Sequence, residues 1–267
     1  MNFLRATFLI WLVAVFGMCQ MHAQTASSTI FESLRQIQSL PAMNSANLRS
    51  QLATRLDLNI PGWTRESAAK DIPCTFFDSV TTYRAKLSAN VNGAVLDIYS
   101  SSCGYTFISA FRHRAKDGWE FLDTLPLRSF DGPLRISMES LIHGGTEEII
   151  VNGVLADNGT GVFQTNYVVL KLFGKCLRVI LDVPEDMRYN PAPSRYPSQR
   201  EHSSFTIVNS VSGGVNSSIR NILQKQVLQS DGRSITRWWL YIWMPELGTF
   251  QAVSASPPEA PTHPSSR

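Results

Sequence analysis

Apolar positions along this chain change their spacing once, from helical near the start to alternating from about Val80 onward. Behind Ser28, the residues Ile30, Phe31, Leu34, Ile37 and Leu40 recur at intervals of three and four, which predicts an amphipathic helix that Pro41 ends. Leu48, Leu52 and Leu56 repeat the stripe behind a cap at Asn44 or Ser45, and Asn59 with Pro61 closes it. The two stripes predict a helical hairpin over residues 24–62.

Beyond it, "TTYRAKLSANVNGAVLDIYS" alternates with period two around Asn92-Gly93, a strong hairpin signal. "YTFISAFRHRAKDGWEFLDTL" has the same form around Asp117-Gly118. Further alternating runs follow up to "SITRWWLYIWMPELGTFQAV", and no helical stripe interrupts them. Hairpin after hairpin without crossover helices predicts antiparallel sheet, so the chain reads as mainly β. Three stretches share one design, an aromatic-led strand, a turn at Gly118, Gly174 or Gly248, and a second strand. They predict three four-stranded meanders beginning near Val80, Leu134 and Ser203, propeller-like or sandwich-like, within a β-rich domain over residues 63–254. "PEDMRYNPAPSRYPSQREHSS", Pro184 to Ser204, reads as a long loop rich in Pro, Ser and Arg, with Tyr189, Arg195 and Tyr196 as candidate ligand contacts. Residues 255–267 read as a disordered tail.

The first residues add a compartment. Arg5, the apolar run from Phe8 to Met18 and the small Ala23 have the layout of a secretory signal peptide over residues 1–23. No later segment is long and apolar enough for a membrane-spanning helix, and the expected location is secreted or periplasmic. Loss of Cys19 with the signal leaves Cys74, Cys103 and Cys176. In an oxidising compartment these predict one bridge, with Cys74 and Cys103 in turn-like stretches as its partners and Cys176 as a small core residue. A hydrophobic content of 43% with 17% charged residues excludes wholesale disorder. The formal charge of +3 comes without any run of Lys and Arg, which excludes an evident nucleic-acid surface.

"GGTEEIIV", at Gly144 to Val151, resembles the "DGxxELxV" of FG-GAP or VCBS repeats, and the resemblance covers Glu139 to Leu172. It implies a propeller-blade strand following a calcium loop. The alternating positions that supply calcium oxygens in that family are Ser140, Ile142 and Gly144 here, none of them a carboxylate. Glu148 alone stands as a candidate ligand or turn-bracing acid, and no metal or other cofactor is expected.

Chemistry beyond that is sparse. Glu139 and Glu148 form a candidate carboxylate pair for an extracellular hydrolase. G-x-S-x-G, H-E-x-x-H and phosphate-loop motifs are absent, and His113, His143 and His202 have no metal-ligand spacing. In "RWWLYIWMPELGTF", alternation places Trp239, Tyr241 and Trp243 on one face of a strand, the pattern of a strand buried on both faces or of a candidate platform for sugar rings or a protein surface. The expected function is therefore a non-catalytic binding module for a protein or carbohydrate partner. Hydrolysis at Glu139 and Glu148, or a structural role in the envelope, stands as the alternative.

Overall fold

In the computed structural model, residues 30–31, 78–88, 91–101, 103–114, 118–130, 132–142, 145–157, 159, 161–190, 198–209, 219–230 and 232–255 are described. They form two antiparallel sheets, and no helix occurs among them. The signal peptide and Cys74 lie outside the described residues, as does most of the expected helical hairpin. Its positions Ile30 and Phe31 are described and are not helical: they make a short strand, β1 (Ile30–Phe31). Main-chain pairing with a neighbouring strand overrides a stripe that sequence spacing alone reads as helix.

The chain divides into two compact units, residues 1–136 with 170–178, and residues 137–169 with 179–267. The first holds β2 (Ser79–Ser88), β3 (Val91–Ser100), β4 (Tyr105–Arg114) and β5 (Gly118–Arg128), in the order β1-β5-β4-β3-β2. The first expected meander is thus present, with β1 added beside β5. β3 and β4 are covered on both faces: Leu96, Ile98, Phe107 and Phe111 fill one, and Val95, Ile108 and Ala110 the other. Sequence reading expected the β2–β3 turn at Asn92-Gly93, but both residues lie inside β3. Ser88 pairs with Val91 and Ala85 with Gly93, across a register shift. The glycine serves close packing instead, since a Cβ there would stand 2.8 Å from the Phe111 carbonyl oxygen and 2.9 Å from Leu87 Cδ1.

A second irregularity, in β5, orients two acids. Ala110 pairs with Asp123 but Phe111 with Phe121, which leaves Leu122 as a bulge. Glu120 and Asp123, three residues apart, therefore face the same way, where regular pleating would oppose them. Both meet the 170–178 segment: Lys175 Nζ donates to Glu120 Oε1 at 3.2 Å, and the Leu177 amide to Asp123 Oδ2 at 2.7 Å.

The remaining strands are β6 (Arg135–Glu139), β7 (Glu148–Asp157), β8 (Val162–Phe173), β9 (Cys176–Tyr189), β10 (Gln199–Asn209), β11 (Arg220–Ser230), β12 (Arg233–Met244) and β13 (Thr249–Ser254). They form one eight-stranded sheet in sequence order, so the second and third expected meanders are a single sheet. The β8–β9 turn uses Gly174 at φ 64°, a left-handed conformation that side chains disfavour. The expected loop from Pro184 to Ser204 is largely strand: β9 runs through Tyr189 and β10 begins at Gln199. Alternating polar residues on a solvated strand resemble a loop in composition, and main-chain pairing decides between them.

The β9–β10 seam is short. Only the pairs from Gln199↔Tyr189 to His202↔Asp186 join these strands, against eleven pairs between β10 and β11. Beyond the seam β10–β13 fold back over β7–β9. The Tyr167 and Phe205 rings stack at 4.0 Å, Thr249 Oγ1 donates to the Ile180 carbonyl at 2.7 Å, and the Arg220 amide donates to the Leu141 carbonyl at 2.6 Å. One face of β10–β12 is therefore an inner face and the other is solvated.

Candidate functional site

Alternation fixes which side chains reach the inner face. Register carries Glu201 and Ser203 from β10, Gln224, Gln226 and Leu228 from β11, and Arg233, Ile235, Arg237, Trp239, Tyr241 and Trp243 from β12 to the same side. Two hydrogen-bonded chains run across the strands there. In one, Tyr241 OH donates to Gln224 Oε1 at 2.7 Å, and Gln224 Nε2 donates to Ser203 Oγ at 2.8 Å and to the Pro184 carbonyl at 3.4 Å. In the other, Trp239 Nε1 donates to Gln226 Oε1 at 3.2 Å and Gln226 Nε2 to Glu201 Oε1 at 2.6 Å. Each glutamine uses both ends of its amide, so each is held in one orientation. Burial, and then the charge of Glu201, push the Tyr241 hydroxyl up to about 12. It stays a neutral donor throughout the physiological range.

The predicted stripe of Trp239, Tyr241 and Trp243 does share this face, but it is not an exposed platform. Tyr241 and Trp243 are 7% and 8% exposed, and Trp243 packs edge-on against Phe250 with ring centroids 5.5 Å apart. β12 lies between β11 and β13, and its inner face turns toward the folded-back layer, which removes these two rings from solvent. Trp239 alone of the three is only half-buried. On the opposite face the half-buried Trp238 ring lies 5.7 Å from the Lys225 ammonium, a cation–π contact.

Toward the start of β12 the inner face opens. A cavity of about 640 Å³ is lined by Met187, Leu228 and Ile235 with Glu201, Arg200 and Arg233. Glu201 Oε2 makes no hydrogen bond among the described residues, which leaves an acceptor beside this space. Another opening of about 510 Å³ lies farther along the strand, lined from both faces by Thr236, Arg237, Trp238 and Trp239. The row Arg233, Ile235, Arg237, Trp239 thus alternates charge and apolar surface at a spacing of roughly 6.7 Å.

The acids proposed for hydrolysis are placed differently. Glu148 is fully buried and accepts the amides of Leu141 and Ile142 at 2.7 and 3.3 Å, so it braces the turn after β6. Glu139 is partly exposed and pairs with Arg220 at 3.5 Å. Burial, then the charges of Glu139 and Glu185, raise the Tyr167 hydroxyl. Among the described residues no three His, Cys, Asp or Glu side chains gather as a metal-binding group. His113 packs edge-on against Trp119 at 5.0 Å, His202 is exposed, and His143 lies outside the described residues. Neither Cys103 nor Cys176 is a free thiol, and Cys176, expected to be a small core residue, is half-buried.

In the first unit, two buried acids have contrasting surroundings. Glu120 accepts Arg112 and Arg114 on one oxygen and Lys175 on the other. Asp97 is 2% exposed, and its Oδ1 has no hydrogen-bond partner among the described residues, nor does the hydroxyl of the buried Thr106 diagonally opposite.

Sequence reading missed Glu201, Gln224, Gln226, Arg233 and Arg237. The two glutamines carried a signal, at alternate positions in phase with Ile222 and Leu228. No family model, no curated protein and no solved structure matches the chain.

Proposed function

We propose that this protein is an exported, non-catalytic binding module that takes a carbohydrate along the inner face of β12. Trp239 carries the reading. Its ring is half-buried, its Nε1 is fixed by Gln226, and Arg237 lies in the same row. A ring held in this way presents an apolar face to the C–H face of a sugar, and neighbouring carboxylate and guanidinium groups bond the hydroxyls. The fixed amides reduce the ordering cost of binding. The FG-GAP or VCBS resemblance is retained as a proposed kinship of the Glu139–Leu172 scaffold, without a calcium site.

The test is calorimetric titration with a panel of soluble oligosaccharides and polysaccharides. Trp239→Ala is expected to weaken binding at least tenfold, Trp239→Phe less, and Trp238→Ala on the opposite face little. Equal effects of Trp238→Ala and Trp239→Ala, or no binding by the wild type, would sink the proposal. A protein partner is the second reading, favoured by Ile235, which is 57% exposed within the same row.

A further inference from the structure

Where β9 and β10 meet, the sheet gathers positive charge. Arg188 and Arg200 are directly opposed in register across the seam, and with Arg233 they line a cavity of about 450 Å³. Like charges directly opposite one another disfavour strand pairing. Among the described residues the acid at the seam is Asp186, and its Oδ2 is engaged by Arg188 Nε and Nη2 at 3.2 and 3.0 Å. Arg200 Nε approaches Asp186 Oδ1 only to 3.7 Å, and His202 Nδ1 stands 4.0 Å from the same oxygen. Neither Arg200 nor Arg233 donates a side-chain hydrogen bond to any described residue. Among the described residues no acidic side chain lines the cavity; its other described walls are Ser, Asn, Gln and Gly. Arg188 is held from two sides, by Asp186 and by the Phe163 ring 6.0 Å away.

We propose that this cavity is an oxyanion-binding site and that the carbohydrate ligand is acidic, carrying carboxylate or sulfate groups. Arg188 and Arg200, opposed on one face of the seam, set two guanidinium groups against the Asp186 carboxylate, which leaves net positive charge among the described residues, and the planar fork of guanidinium N–H donors matches a two-oxygen acceptor. The hydroxyl and amide groups around them serve as further donors. Arg200 and Arg233 also line the adjoining 640 Å³ cavity, so one chain can place its acid groups on the arginines and its rings along β12. The acidic-glycan part rests on the carbohydrate reading; the oxyanion site does not.

The experiment titrates the full-length mature protein with inorganic sulfate, a neutral glucan, a polyuronate and a sulfated glycan. The wild type is compared with Arg200→Gln, Arg188→Lys and Trp239→Ala, and the fold of each is checked by melting. The expected result is binding of the acidic glycans at least tenfold tighter than the neutral one, falling with salt. That preference should be lost in Arg200→Gln, and reduced in Arg188→Lys, which keeps the charge but not the fork. Equal binding of neutral and acidic glycans overturns the anion site and leaves the carbohydrate reading standing. Binding of sulfate but of no glycan, lost in Arg200→Gln, keeps the site and overturns the carbohydrate reading. Acidic-glycan binding that survives both arginine substitutions overturns this site, and failure to bind any probe overturns both proposals.

Discussion

Burial acts alike on Asp97 and Glu120, yet their carboxyls end on opposite sides of the usual range. Desolvation raises Asp97 from 3.8 to about 6, with no cation to oppose it. Desolvation raises Glu120 too, but hydrogen bonds from Arg112, Arg114 and Lys175, with the charge of Arg112, outweigh it and bring the group to about 2. The stability consequences have opposite signs. Folded Asp97 holds a proton that the unfolded chain releases above 3.8, so its contribution is lost as pH rises through 3.8 to about 6. Glu120 stabilises above its ordinary value of 4.5, and that contribution is lost as pH falls toward about 2. Together they favour a stability maximum between pH 4 and 5. Asp97→Asn is expected to raise stability at pH 7.5 by roughly 1–3 kcal/mol and to change little at pH 3.5. Glu120→Gln is expected to cost roughly 1–3 kcal/mol at pH 7.5 and progressively less toward pH 2. Denaturant melts at these pH values check both, and an Asp97→Asn midpoint unchanged at pH 7.5 contradicts the assignment. None of this was legible in the sequence. "VLDIYS" shows an acid at a strand position, not that cations surround one acid and leave the other unpartnered.

At the scale of elements, most strands were legible because side-chain alternation is a local property. Turns were less so. Asn92-Gly93 carries the composition of a two-residue turn, but the glycine answers to the Phe111 carbonyl and the Leu87 side chain packed against it. Gly93→Ala is expected to destabilise by about 1–3 kcal/mol through this overpacking, read as a lower denaturant midpoint. A turn glycine would instead tolerate an asparagine, so Gly93→Asn should be worse than Gly93→Ala. The Pro184–Ser204 stretch shows the converse difficulty. Its composition is that of a loop, which hides the in-register arginines Arg188 and Arg200. On β12 the alternation was legible and its environment was not. Sequence places Trp239, Tyr241 and Trp243 on one side, but only the fold-back of β10–β13 decides that Tyr241 and Trp243 are covered while Trp239 keeps an accessible ring.

For the whole molecule, the all-β character of the described residues followed from the absence of helical stripes beyond residue 62. Sheet membership did not follow. Which meanders join edge to edge depends on pairings between distant strands, and a repeating hairpin pattern serves separate blades and one continuous sheet equally well. The export reading is independent of fold. Expression with the native leader is expected to yield a mature chain beginning at Gln24, as amino-terminal sequencing would show, and retention of Met1 would refute cleavage. The four rungs between β9 and β10 act as the spine of an open book whose covers are β6–β9 and β10–β13. Mutually repelling arginines at a spine loosen it when the site is empty, and a bridging anion would clasp it shut. How firmly one cover closes on the other would then be tied to what sits at the spine.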